Sequence, residues 1–192
     1  MRIIAGEKRG TRLTPFDTRD IRPTPDAVRE AVFNILASRV EGANVLAPFA
    51  GTGAMGLEAL SRGAEHSVFV ENARTARQVL EKNIQRLGYE DRCAILRENA
   101  LHCLPALNTL GRAYDLVFID PPYRMTRQLD DDNDVARFVK QLADSPWLAR
   151  DGIVMLDHPK KATIACDWSP LEVVDTRRYG QVGLIFLRPF VE

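Results

Sequence analysis

The sequence predicts an α/β protein with a doubly wound, mostly parallel sheet of seven strands. From Asn44 onward, short apolar runs alternate with amphipathic segments of helical period, which is the order of strands and crossover helices. The runs at 116–119 and 153–156 are continuously apolar, as in strands that helices cover on both faces. Only residues 179–181 separate the last two strands, and because a parallel crossover needs a longer link, this spacing predicts an antiparallel hairpin at one end of the sheet.

The bounds of the individual elements are predicted from the positions of glycine, proline and helix-capping residues. Glycine and proline divide the section up to about residue 20 into short apolar pieces, which predicts a small β-hairpin or arm. The sequence RPTPD at 22–26 predicts a helix start, because Thr24 can cap the helix and Pro25 suits its first position, and the helix is expected to end near Gly42. Strands are predicted at 44–49, 66–71, 93–98, 114–119, 152–157, 171–178 and 182–188, further helices at 54–62, 73–87 and 133–143, and the segment 100–110 is ambiguous because Pro105 interrupts it.

Length and composition predict a single compact domain, with residues 1–22 as the arm and 23–192 as the sheet domain. No apolar run approaches the ~20 residues that span a bilayer, and the first residues lack the apolar core of a secretory signal, so we expect a cytoplasmic protein. The cysteines and histidines lack the spacing of metal ligands, which predicts no metal site and reduced thiols. They are Cys93, Cys103, Cys166, His66, His102 and His158.

The formal net charge is zero, so any attraction to nucleic acid has to come from local clustering. One basic cluster lies between residues 1 and 22, where six cations face Glu7, Asp17 and Asp20. The cations are Arg2, Lys8, Arg9, Arg12, Arg19 and Arg22. The charge pattern alone fits either a contact with phosphates or an ordinary solvated face.

A glycine-rich stretch, VLAPFAGTGAMG at 45–56, follows the G-x-G-x-x-G spacing of a nucleotide-binding turn between a strand and a helix. Glu71 stands at the end of the second predicted strand, twenty residues after Gly51, where its carboxylate can accept hydrogen bonds from ribose hydroxyls. Together these features indicate a cofactor that contains a nucleoside. They leave NAD and S-adenosylmethionine open, and a purely structural turn with a surface glutamate is the plainer alternative.

The sequence Asp120-Pro121-Pro122-Tyr123 comes directly after the fourth predicted strand, at the edge where α/β sheets bind substrates. The prolines lack N–H donors and leave their carbonyl oxygens free as acceptors, next to the acceptor side chain of Asp120. Two acceptors suit a group with two N–H donors, and Tyr123 offers a stacking face. This combination predicts recognition of an exocyclic amino group on a nucleobase, although two prolines alone would also fit an ordinary turn.

Six segments of the chain, taken in order, resemble the RsmD family, the bacterial 16S rRNA guanine-N2 methyltransferases. They are MRIIAGEKRG, RPTPDAVREAVFNIL, FAGTGAMGLEALSRGA, FVE, DLVFIDPPY and the late YG. The first two discriminate most, because the glycine loop and DPPY also occur in DNA methyltransferases. The resemblance implies a class I Rossmann-like methyltransferase fold, S-adenosylmethionine as cofactor, and a monomer that methylates 16S rRNA, within a small-subunit assembly particle.

The resemblance also implies roles for individual residues. The cofactor would be held by Arg22, Pro23, Thr24, Phe49, Ala50, Gly51, Thr52, Gly53, Glu71, Asn99 and Ala100. The catalytic residues would be Asp120, Pro121 and Tyr123, with no metal. The rRNA would be contacted by Arg2, Lys8, Arg9, Arg12 and Pro122.

The chain departs from the family pattern V-L-D-x-F-A-G at one position. Ala47 stands where the family has the aspartate, and Pro48 follows it. By the resemblance, that aspartate would help to hold the ammonium end of the cofactor, and its absence would cost a charge-assisted hydrogen bond, on the order of 1.5–3 kcal/mol. Pro48 is expected to end the strand early or distort it. The alternatives left open are an adenine amino-methyltransferase on DNA or RNA, an NAD-dependent oxidoreductase, and an rRNA-binding assembly factor with weakened catalysis.

Overall fold

A computed structural model describes residues 1–15 and 24–190 of the chain. These residues form a central sheet with helices on both faces, and a small ribbon at its periphery. The strands are β1 (Asn44–Ala47), β2 (His66–Val70), β3 (Cys93–Leu96), β4 (Tyr114–Ile119), β5 (Gln128–Leu129), β6 (Leu148–Pro159), β7 (Thr163–Ile164), β8 (Leu171–Tyr179) and β9 (Val182–Pro189). The helices are α1 (Asp26–Leu36), α2 (Ala54–Ser61), α3 (Arg74–Leu87), α4 (Leu104–Leu107) and α5 (Asp134–Ala143).

The central sheet has seven strands in the order β3-β2-β1-β4-β6-β9-β8. The first five of these run parallel, and β9 pairs antiparallel with both β6 and β8. The predicted seven-stranded sheet and its terminal antiparallel hairpin are therefore confirmed. The strand order reverses between β1 and β4, and open α/β sheets bind ligands in the crevice at such a point.

The core consists of one apolar layer on each face of the sheet. In β4, Leu116 and Phe118 face the layer with α1, α2 and α3, whereas Val117 and Ile119 face the layer with α4 and α5. Alternate side chains of a strand point to opposite faces, so a strand buried on both sides needs an apolar residue at every position. The continuous apolar runs of the sequence have this cause.

Several element boundaries differ from those predicted, and proline or glycine explains most of them. Strand β1 ends at Ala47, because Pro48 cannot donate to the ladder. Helix α1 ends at Leu36 and continues only as a 3₁₀ turn over Ala37–Arg39, so the predicted extension to Gly42 is wrong. The ambiguous segment becomes a 3₁₀ turn at Ala100–His102 followed by the short helix α4.

Residues 1–15, called here the N-terminal hairpin, pack against the sheet domain. Arg2 and Arg12 form an antiparallel bridge, and Ile3 and Leu13 are buried in the core. The buried carboxylate of Glu58 in α2 accepts hydrogen bonds from two backbone N–H groups of this hairpin, at 2.7 and 3.0 Å. The hairpin is thus fixed to α2 by buried polar and apolar contacts. Within residues 1–15 and 24–190, none of the helices has the length and apolar character needed to cross a bilayer.

Candidate active site

A cleft of about 530 Å³ opens at the carboxyl edge of the sheet, above the ends of β1, β2, β3 and β4. It brings together most residues that the sequence predicts for the cofactor and for catalysis, and also Pro122, which is predicted as an RNA contact. Those that line it are Thr24, Phe49, Ala50, Gly51, Thr52, Glu71, Asn99, Ala100, Asp120, Pro121, Pro122 and Tyr123. The predicted cofactor residues Arg22 and Pro23 lie outside the described residues.

The glycine loop turns from β1 into α2 through two left-handed residues, Gly51 with φ 54° and Gly53 with φ 83°. A Cβ at Gly53 would lie 2.4 Å from the Cδ1 atom of Leu80, so both the backbone angle and the lack of space require glycine there. Gly53 does not line the cleft, and the structure gives it a packing role at the start of α2.

Glu71 is the first residue after β2, and its carboxylate is held by the backbone on both sides. Oε2 accepts a hydrogen bond from the N–H of Gly51 at 3.0 Å, and Oε1 accepts one from the N–H of Ala73 at 2.9 Å. Each carboxylate oxygen has a second lone pair, so the group can still accept from ribose hydroxyls. The same side chain therefore shapes the glycine loop and faces the cleft.

Asn99 and Ala100 lie after β3, on the side of the cleft next to Glu71. The Asn99 side chain accepts a hydrogen bond from the N–H of Leu101 at 3.0 Å and so caps the 3₁₀ turn. This cap presents Ala100 and Leu101 as an apolar wall of the cleft. An apolar wall beside a fixed polar cap suits the face and edge of a purine ring.

Asp120 follows β4 and is held by a residue far away in the sequence. Its Oδ2 accepts a hydrogen bond from the Thr24 hydroxyl at 2.6 Å. Desolvation raises the pKa of Asp120, and the bond from Thr24 opposes that rise. The predicted capping role of Thr24 is wrong, because α1 begins at Asp26 after Pro25 and no side chain of the described residues, that of Thr24 included, caps it. The Thr24 hydroxyl instead orients the carboxylate of the DPPY sequence.

A second buried carboxyl group, that of Asp157 on β6, lies next to this site. Burial and the charge of Asp120 raise the pKa of Asp157 to about 8, and a hydrogen bond with Tyr123 acts in the opposite direction. Sequence reasoning missed Asp157. The available signal was a lone acidic residue in the otherwise apolar strand sequence IVML before HP.

The four predicted RNA-binding cations lie at different ends of the molecule. Arg2 is near the cleft, with its Nε atom 3.7 Å from Asp26 at the start of α1. Lys8 lies at the end of α2, where its N–H donates to the Ser61 hydroxyl at 3.0 Å. Because α2 starts at the glycine loop and its eight residues span about 12 Å, Lys8 is near the opposite edge of the sheet. Arg9 follows Lys8 in the same turn, and Arg12 is exposed on the return strand of the N-terminal hairpin.

Within the described ranges, no three His, Cys, Asp or Glu side chains converge in a way that could hold a metal ion. The cysteines are free thiols.

The strand order, the antiparallel strand β9 and the glycine loop at the strand-order reversal define a Rossmann-like methyltransferase fold. The chain matches the family model described as "Conserved hypothetical protein 95" over residues 1–188. It is 36% identical over 172 residues to Ribosomal RNA small subunit methyltransferase D of Escherichia coli, which is 88% of this chain and 81% of that protein. The chain therefore belongs to this family, and its resemblance to the RsmD proteins is confirmed.

Other relatives agree with this membership. Ribosomal RNA small subunit methyltransferase D of Buchnera aphidicola is 31% identical over 162 residues, covering 84% of this chain and 80% of that protein. A hypothetical protein of Thermus thermophilus has a solved structure similar to this one, with a TM-score of 0.78 and 29% identity, over 98% of this chain and 99% of that one. The similarity thus extends over the sheet and the N-terminal hairpin together.

Proposed function

We propose that the protein transfers a methyl group from S-adenosylmethionine to the exocyclic N2 of a guanine in 16S rRNA. The observation that carries this proposal is the position of Asp120, which borders both the large cleft and a second cavity. A group at that border can contact an amino nitrogen in one cavity while a methyl donor occupies the other. The names of the relatives, ribosomal RNA small subunit methyltransferase D, support the substrate class.

The lining of the large cleft fits S-adenosylmethionine, which supplies a methyl group on a positively charged sulfur when it is bound. The backbone of the glycine loop approaches the cleft closely, and Glu71 offers carboxylate lone pairs to ribose hydroxyls. Ala100 and Leu101 form an apolar wall for the adenine ring. A volume of about 530 Å³ is ordinary for a cofactor site of this size.

Ala47 is the point where the cleft departs from the family pattern. Its side chain lines the cleft and is 4% exposed, so a methyl group stands where an aspartate would face the ammonium group of the cofactor. We expect a lower affinity for S-adenosylmethionine than in relatives with the aspartate, by about 1.5–3 kcal/mol. Glu71 and the glycine loop retain the other contacts of the site.

Asp120 and the Pro121 carbonyl would activate the amino nitrogen of the base. The lone pair of that nitrogen is delocalised into the ring, and accepting its two N–H bonds favours a tetrahedral nitrogen whose lone pair points into the large cleft. The Thr24 hydroxyl donates a hydrogen bond to Oδ2 of Asp120, so Oδ1 is the oxygen that would accept a hydrogen bond from the amino group. After the N–C bond forms, Asp120 takes the released proton or passes it to water.

Tyr123 and Pro122 would contact the base after it leaves its stack in the RNA. The Tyr123 ring lines both cavities, so it can replace the lost stacking of the target base. We also propose that the protein acts as a monomer in the cytoplasm, on a small-subunit particle during assembly, and that the N-terminal hairpin contributes phosphate contacts through its cations.

The test is a methyl-transfer reaction with labelled S-adenosylmethionine and either naked 16S rRNA or small-subunit particles, followed by mass analysis of the nucleosides. The expected product is N2-methylguanosine. N6-methyladenosine would establish the adenine alternative instead. Calorimetric binding of S-adenosylmethionine without transfer to any RNA would favour the assembly factor, and binding of NAD in a parallel titration would favour the oxidoreductase.

A further inference from the structure

A second cavity, of about 230 Å³, lies at the ends of β4 and β6 next to the turn between β8 and β9. Thr24, Asp120 and Tyr123 line both this cavity and the large cleft, so they form the boundary between the two. The remaining lining comes from Pro25, from Asp157, and from the hairpin turn at 179–182. The cavity is thus a separate chamber that shares the DPPY carboxylate with the cofactor cleft.

Asp157 is the polar residue of interest in this chamber, because one of its two carboxyl oxygens has no hydrogen-bond partner among the described residues. Its side chain is 2% exposed, and its Oδ1 atom accepts no hydrogen bond from the part of the chain that the structure describes. Its carboxyl group does interact with Tyr123, which holds it in place. A buried oxygen without a partner costs stability, and native proteins tolerate such atoms mainly where a ligand or water completes the bonding.

We propose that the second cavity holds the target guanine and that Asp157 accepts a hydrogen bond from its N1–H group. This inference rests on the proposed function, since it assumes that the N2 amino group is bound by Asp120 and Pro121. N1–H is the donor next to N2 on the Watson–Crick edge, and Asp157 is the next carboxyl group beside Asp120.

The same contact would exclude adenine. The N1–H group of guanine donates to Oδ1 and favours the ionised carboxylate, which has no proton to donate, whereas N1 of adenine carries a lone pair and no hydrogen. With Asp157 ionised, an adenine in this chamber would leave Oδ1 buried without a donor. Sites that lose a buried hydrogen bond in this way discriminate strongly against the analogue that lacks the partner.

The experiment compares guanine with 2-aminopurine at the mapped target nucleotide of 16S rRNA reconstituted into small-subunit particles, at about pH 9, where Asp157 is ionised. 2-Aminopurine keeps the N2 amino group but has no N1–H. Wild-type protein should prefer guanine by about 100-fold in kcat/KM, and Asp157→Ala should reduce that preference to less than about 5-fold. Asp157→Asn keeps an acceptor oxygen but adds an N–H₂ donor that can face N1 of 2-aminopurine, so its preference should fall between those of the wild type and Asp157→Ala.

The outcomes separate this inference from the proposed function. If the wild type methylates guanine N2 but Asp157→Ala keeps the full preference, the role of Asp157 is refuted and the function stands. If the wild type methylates adenine, both fail. Unchanged S-adenosylmethionine affinity in both variants shows that they fold, and the wild-type comparison alone refutes the inference if 2-aminopurine and guanine react equally.

An independent observation concerns the charged rim of this chamber, defined here as Arg124, Lys160, Lys161 and Arg178. All four are exposed, and none forms a salt bridge with the described residues. The N–H of Lys160 donates to the carbonyl of Gln181 at 2.8 Å, which fixes Lys160 beside the hairpin turn that lines the chamber. We infer that this rim binds the phosphates that flank the target nucleotide.

A matched pair of double variants tests the rim. Replacing Lys160 and Lys161 with alanine should weaken binding to an rRNA fragment about 10-fold and reduce the slope of log K against log salt by about 1.4–1.8, as expected for two lost phosphate contacts. Replacing Arg112 and Arg150, which lie at the starts of β4 and β6 on the opposite edge of the sheet, should change affinity less than 2-fold. An unchanged slope in the rim variant, or a larger loss in the Arg112 and Arg150 variant, would overturn the inference.

Discussion

The large cleft and the second cavity, called here the cofactor half and the base half of the site, are built in different ways. The cofactor half uses the loops after β1, β2 and β3, and its one carboxylate in the described lining, Glu71, is already bonded to two backbone N–H groups. The base half lies at the ends of β4 and β6, and it holds two neighbouring carboxyl groups, Asp120 and Asp157, whose pKa values are both raised. In the first half the carboxylate already has hydrogen-bond partners, whereas the second contains a buried oxygen, Oδ1 of Asp157, that accepts no hydrogen bond from the described residues.

This difference indicates how the two ligands are bound. A loop whose hydrogen bonds are formed in advance loses little freedom when a cofactor binds. Buried carboxyl groups close together are unfavourable in the unliganded protein, and donors on a substrate relieve that cost. The cofactor half is therefore a preformed site, and the base half is stabilised by the substrate that it selects.

The largest expected effect is a loss of turnover when the base half alone is changed. Asp120→Asn keeps the shape of the side chain but adds an N–H₂ donor toward the amino group of the base, so turnover should fall by about 10³-fold or more. Affinity for S-adenosylmethionine should stay within about 3-fold, because the cofactor contacts lie on the other half. Asp144→Asn, the same change at an exposed residue after α5, is the control. Retained turnover in Asp120→Asn would refute the assigned mechanism.

The second largest expected effect is a loss of cofactor affinity when the cofactor half is changed. Glu71→Ala removes the ribose acceptor and both bonds that hold the glycine loop, so the Kd for S-adenosylmethionine should rise by about 10- to 100-fold. Because the base half is intact, kcat at saturating cofactor should recover to within about 5-fold of the wild type. Calorimetry and steady-state kinetics measure the two quantities, with Glu81→Ala on the exposed face of α3 as the control. A kcat loss as large as that of Asp120→Asn would contradict the separation of the two halves.

The sequence predicts the cofactor half better than the base half, and the reason is locality. Gly51 and Glu71 belong to short patterns at strand ends, and parallel strands bring their carboxyl ends to one edge by construction. The seven strands were predictable for a similar reason, since burial on both faces leaves continuous apolar runs. The predicted end of α1 was wrong because the helix changes into a 3₁₀ turn after Leu36. That change depends on tertiary packing, which the spacing of apolar residues does not describe.

The base half depends on contacts between residues far apart in the chain. Thr24 and Asp120 are 96 positions apart, and capping preference assigned the Thr24 hydroxyl to its own helix because no local pattern indicates a distant partner. Asp157 gave only the weak signal of an acid in an apolar strand. Its importance follows from the neighbours that β4 and the β8–β9 turn supply, which only the folded structure brings together.

A smaller effect tests the link between Thr24 and Asp120. The hydroxyl bond lowers the pKa of Asp120 against the rise caused by desolvation, so Thr24→Val should raise that pKa further. Because the mechanism needs the ionised carboxylate, the acid limb of the pH profile of kcat should move to higher pH, and kcat at neutral pH should fall by about 3- to 10-fold. Thr24→Ser keeps the donor and should restore the wild-type profile. An unshifted acid limb in Thr24→Val would show that this bond does not tune the carboxylate.

The smallest effect is on stability and concerns Asp157. Its pKa is raised from 3.8 to about 8 in the folded protein by burial and by the charge of Asp120, so the folded state binds a proton more tightly than the unfolded state does. The stability that this proton provides is fully present below the unfolded value and is lost as the pH rises through the folded value. Asp157→Asn cannot ionise, so its Tm should match the wild type near pH 4 and exceed it above pH 8, by on the order of 10 °C. A Tm difference that stays constant with pH would mean that Asp157 is ionised in the folded protein throughout, and that the base half stores no such cost.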